Sequence, residues 1–97
     1  MIFPLKLTLR VHAIKRMFER NISIDDVKNV LLDAKVLKEY LDDRPYPSYL
    51  VLGWIHDRPI HLVIAVNSEI NETIIITAYE PSLVEWNKEF DVRKGKE

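Results

Sequence analysis

Apolar positions along the chain follow a helical period first and a strand period afterwards. Over residues 7–20, Val11, Ile14, Met17 and Phe18 recur at helical spacing, with Ala13 at the border of the stripe. This predicts a helix that buries those four residues. It turns His12, Arg16 and Arg20 roughly 100–140° away from the stripe's centre. Asn21 ends the helix, because asparagine tolerates left-handed backbone geometry. Ser23 is placed to cap a second helix, with Asp25 and Asp26 at the positive end of its dipole. Val27, Val30, Leu31 and Ala34 form its apolar stripe.

Beyond Ala34 the pattern becomes that of strands. Residues 36–40 read as a first strand. Residues 42–48 read as a loop, since Pro45 and Pro47 cannot join a ladder. Residues 49–55, 60–66 and 73–79 read as three further strands, separated by turns at 56–59 and 67–72. Short connections predict an antiparallel meander, and the continuous apolar runs predict inner strands covered on both faces. Pro81 opens a last predicted helix. Ser82 and Glu85 match a capping box there, and Leu83, Trp86 and Phe90 give it an apolar stripe. The expected fold is therefore α+β: two N-terminal helices, a four-stranded antiparallel sheet and a C-terminal helix. It forms one domain over residues 1–97, with a core from about 7 to 92 and a charged tail, 93–97, that frays.

The composition of the 97 residues is globular, with 47% hydrophobic residues and two glycines. The absence of cysteine excludes disulfides, thiolate metal sites and cysteine nucleophiles. No apolar run approaches the roughly 20 residues of a membrane span, and the N-terminus lacks the apolar segment of a signal peptide. The chain thus reads as soluble and cytoplasmic, where the sequons at Asn21 and Asn71 carry no meaning. The net charge of −1 is unevenly spread. Lys6, Arg10, Lys15, Arg16 and Arg20 face only Glu19 in residues 1–20, whereas Arg58 stands against five acids in residues 51–87. Such polarity argues against a protein that coats nucleic acid non-specifically, and leaves room for a local basic site.

His12, Arg16 and Arg20 stand at i, i+4 and i+8, on one side of the first predicted helix. A titratable imidazole beside two guanidiniums suits phosphate chemistry: the histidine for proton transfer, the arginines for bidentate anion binding. A solvated helix face with ordinary surface ion pairs is the plainer reading of the same residues. His61 interrupts an apolar strand, so it must face solvent or find a partner. Thr77 and Tyr79 share one face of the neighbouring strand, and hairpin register decides whether His61 joins them. Arg93 is a further cation after the last helix. Three histidines without close ligand spacing make a weak metal site, and no glycine loop suits a phosphate.

The segment His12-Ala13-Ile14-Lys15-Arg16-Met17-Phe18-Glu19-Arg20 resembles the His-Ala-x-x-Arg-Met-x-x-Arg opening of a small prokaryotic domain-of-unknown-function family. Tyr46-Pro47, Arg58 to Val63, Ile76 to Pro81, Trp86, Phe90 and Arg93 extend the resemblance over about residues 8–94. Asn21 departs from a glycine at that position, and either suits a left-handed helix end. The family is distantly similar to RelE/ParE-like toxins. The resemblance implies a RelE-like fold and a toxin of a toxin–antitoxin pair, acting as a metal-independent endoribonuclease without cofactor. His12, His61 and Tyr79 would then be the acid, base or positioning groups. Arg16, Arg20 and Arg93 would bind phosphate, with Thr77 in support. RNA and a cognate antitoxin that covers the basic stripe are the implied partners, with a homodimer also allowed and no membrane. A non-catalytic module that binds protein or nucleic acid, including a ParE-like gyrase inhibitor, is the alternative.

Overall fold

Ile60, Leu62 and Ile64 alternate with His61, Val63 and Ala65 along the central strand, and this alternation sorts the molecule into two faces. The computed structural model describes residues 3–95. Its elements are β1 (Lys6–Leu9), α1 (Val11–Glu19), α2 (Ile24–Leu32), β2 (Lys35–Tyr40), β3 (Ser48–Ile55), β4 (Arg58–Asn67) and β5 (Glu72–Tyr79). The five strands form one sheet in the order β1-β5-β4-β3-β2. The β2-β3, β3-β4 and β4-β5 pairs are antiparallel, and β1 lies parallel to β5.

Both helices pack on one face. Ala13, Met17, Val27, Val30 and Leu31 bury themselves against Val51, Ile60, Leu62, Ile64, Ile75 and Ala78. Gly53 allows α2 this close approach: a Cβ there would sit 2.5 Å from Val30 Cγ1. On the opposite face, Leu52, His61 and Tyr79 line up across three strands, as do Leu50, Val63 and Thr77. β5 carries one extra residue, Ile76, between Thr77 and Ile75. This bulge resets the alternation, so that Thr77 faces away from the helices while Ile75 enters the core.

Four expectations need correction. First, the sheet has five strands and is mixed. Leu7, Thr8 and Leu9 alternate at period two and form β1 instead of the first helical turn, and Arg10 is extended (φ −65°, ψ 149°). A four-residue strand is too short to outweigh the helical pattern that follows it. Second, α1 buries Ala13 and Met17, whereas Val11, Ile14 and Phe18 are exposed. The small Ala13 lets the helix lie against β5, and the larger residues on its flank are left outside. Third, the described residues contain no C-terminal helix. Ser82 closes one turn with Glu85 and Trp86, and the chain then doubles back so that Trp86 bridges Arg93. The Asn87 side-chain oxygen takes the Asp91 and Val92 amides, which a helix would have directed elsewhere. Fourth, the expected RelE-like fold, with three helices and an all-antiparallel sheet, fails with these differences.

The second helix follows expectation closely. Ser23 and Asp26 form a reciprocal capping box, and Val27, Val30 and Leu31 are buried. Asn21 has φ 57°, the left-handed geometry anticipated for it. Of the tail, Lys94 N–H bonds the Glu85 carbonyl and Arg93 joins the bridge, while residues 96–97 lie outside the described residues. No helix among the described residues is long and apolar enough to cross a membrane.

Candidate functional site

The segment after β5 wraps over the helix-free face and turns His61 into a buried group with two partners. His61 has no exposed surface. Its Nε2 lies 2.7 Å from the Phe90 carbonyl oxygen, which can only accept, so the ring proton sits on Nε2. Nδ1 is left to accept the Tyr79 hydroxyl at 3.1 Å. Phe90 presents its carbonyl from a left-handed backbone (φ 60°), held by the Asn87 turn. Trp86 meets the imidazole edge-on, with ring centroids 4.5 Å apart. Burial pushes the His61 pKa below its usual 6.5, partly offset by the Phe90 carbonyl. Burial likewise raises the Tyr79 phenol above 10, opposed by the Arg93 charge and reinforced by Glu85 and Tyr40. Both groups are therefore neutral near pH 7, and the Tyr79 oxygen keeps its lone pairs free for a third group.

Tyr79 opens onto a cleft of about 800 Å³ between β2 and the wrapping segment. Leu50 and Val63 form its apolar floor, Leu37 and Tyr40 one wall, Trp86 and Val92 the other. Lys38 and Arg93 are its cations. Its carboxylates are engaged: Asp43 accepts the Ser48 hydroxyl, and Asp91 binds Lys35 Nζ at 2.7 Å and Asn87 Nδ2 at 2.9 Å. Lys35 and Asn87 hold the Asp91 pKa below the usual carboxylate value. Arg93 is 4.0 Å from Glu85, and both side chains are well exposed. Such a pair yields readily to an incoming anion.

The candidates named from the sequence separate into two groups. His61, Thr77, Tyr79 and Arg93 lie on the helix-free side, with Tyr79 and Arg93 lining the cleft. His12 and Arg16 lie on α1 and Arg20 caps its C-terminus, across the sheet, so the structure does not bring His12 and His61 together. Arg16 pairs with Glu19 at 3.1 Å and donates to His12 Nε2 at 3.4 Å. Arg20 donates to the Ala78 carbonyl at 2.8 Å and fastens α1 to β5. Arg58 completes that fastening by donating to the Arg20 and Asn21 carbonyls and pairing with Glu80 at 2.7 Å.

Lys38, Tyr40 and Ser48 are not among the candidates named from the sequence, and Trp86 and Phe90 enter there as a helical stripe and not as a cover for His61. Lys38 and Tyr40 sit in a short strand with no motif of its own, and the irregularity at Leu37 shifts the register between Val36 and Lys38. The spacing of Trp86 and Phe90 was a signal, since two large aromatics in a polar segment need something to cover. Among the described residues, no three His, Asp or Glu side chains are grouped to hold a metal ion.

One protein family, described as Domain of unknown function (DUF4258), has a model that matches residues 9–80. No curated protein and no solved structure matches the chain.

Proposed function

From the premise that the chain belongs to the DUF4258 family, we propose that it is a metal-independent endoribonuclease whose site is the cleft at Tyr79. The observation that carries this reading is the Tyr79 hydroxyl, bonded to a buried imidazole and open to a cleft with two cations. The distant similarity of this family to RelE/ParE-like toxins supports a role as the toxin of a toxin–antitoxin pair.

In this reading a ribose 2′-hydroxyl gives its proton to the Tyr79 oxygen as the Tyr79 proton moves to His61 Nδ1. The 2′-oxygen attacks phosphorus and the bond to the 5′-oxygen breaks. That oxygen leaves with a proton from Lys38 or from water in the open cleft. The products are a 2′,3′-cyclic phosphate and a 5′-hydroxyl. Arg93 offsets the charge that builds on the phosphoryl oxygens, and His61 starts neutral, as a base must. Arg16, Arg20 and His12 carry no step, because they stand on the other side of the sheet.

The test is cleavage of single-stranded RNA in EDTA. Tyr79→Phe keeps the ring and removes the relay, and is expected to lose about 10²–10⁴-fold. Arg93→Ala weakens substrate binding, and His12→Ala leaves the rate unchanged. Full activity in Tyr79→Phe rejects the proposal. A non-catalytic binding module is the second reading, favoured by the large apolar residues that α1 leaves in solvent.

A further inference from the structure

Phe18 is 87% exposed, Val11 83% and Ile14 51%. They stand at i, i+3 and i+7 of α1, so they form a continuous apolar stripe beside the buried Ala13 and Met17. Ile24, at the start of α2, is also half exposed. With Leu9 and Ile22 it closes a recess of about 260 Å³ against Ile14 and Phe18. Scattered exposed apolar residues are ordinary, but a contiguous set around a recess marks a contact surface.

The charges around the stripe say what fits it. At 100° per residue, Lys15 falls on one side of it, and Arg10, the extended residue before the helix, stands at its N-terminal end next to Val11. Among the described residues neither is in an ion pair, whereas Arg16 is paired with Glu19 and Arg20 is bonded to the Ala78 carbonyl. We propose that this face of α1 binds an acidic amphipathic helix of a partner protein. A large apolar side chain of that helix enters the recess, and carboxylates on its flanks meet Arg10 and Lys15. A protein fits better than an anionic lipid surface for two reasons. The recess is concave and of side-chain size. Asp25 and Asp26, next to Ile24, repel a negatively charged bilayer but are avoided by a helix with acids at chosen positions. This surface lies across the sheet from the cleft and is independent of any activity there.

The test is selection of displayed random peptides of about 15 residues, long enough for roughly four helical turns, on the intact protein. Enriched peptides are expected to carry Asp or Glu beside large apolar residues at helical spacing. Their Kd should rise at least ~10-fold against Phe18→Ala. Against Lys15→Glu it should also rise, most at low salt. Both side chains are exposed, so circular dichroism should show both variants folded. No enrichment, enrichment of basic peptides, or equal binding to Phe18→Ala overturns the proposal. So does either of two results that Phe18→Ala abolishes: binding to phosphatidylserine vesicles, or dimerisation seen by sedimentation.

Discussion

His61 shows how much one side chain can take from its surroundings. A histidine in an apolar strand is visible in sequence as a group that must find a partner. Its partners are not, because Tyr79 arrives through register and the Phe90 carbonyl through a turn 29 residues away. The same burial makes the fold pH-sensitive in a defined direction. The unfolded chain takes up a proton near pH 6.5, and the folded one does so only at lower pH. Stability contributed by His61 is therefore complete above pH 6.5 and declines as pH falls below it. The slope is at most about 1.4 kcal/mol per pH unit. Urea midpoints at pH 7.5 and 5.5 should differ in that direction, and His61→Gln should flatten the difference. Equal midpoints in the wild type count against a buried neutral imidazole.

At the level of elements, hydrophobic periodicity located α2 and four strands to within a residue or two, because each has its own pattern and its own stop signals. It failed where tertiary contacts override local preference. Ser82 and Glu85 match a helix start, yet Trp86 and Phe90 are anchored on His61 and Trp54, and that anchoring draws the segment across the sheet. The four apolar residues of α1 suggested one buried side. Only Met17 of them is buried, since a helix pressed on β5 through Ala13 has room for a narrow contact. Gly53 had no sequence signal for its role, which depends on a helix distant in the chain. Gly53→Ala is expected to cost about 1–3 kcal/mol, as overpacking does, because its methyl would meet both Val30 Cγ1 and, at 3.1 Å, Val30 Cα. A loss of unfolding free energy in urea smaller than about 0.5 kcal/mol would show that α2 moves aside freely.

The molecule as a whole is two layers on one sheet: helices on one face, an irregular strap on the other. Periodicity misread the strap, since Leu83, Trp86 and Phe90 fall at helical spacing while Asn87, through three side-chain hydrogen bonds, helps to fold the segment back on itself. Asn87→Ala should free the strap while leaving the helical face intact. Proteolysis is then expected to nick the chain near residues 87–92 first, with far-UV circular dichroism little changed; resistance equal to wild type would mean that Trp86 and Phe90 suffice to hold it. The parallel pair of β1 with β5 has a consequence for how the chain is made. Lys6 pairs with Glu72, and Leu9 with Ile75. The first strand of the sheet to be synthesised is thus among the last that can be paired. Until β5 has emerged, Leu7 and Leu9 have no strand to pair with, and the closing of this long loop comes late in folding.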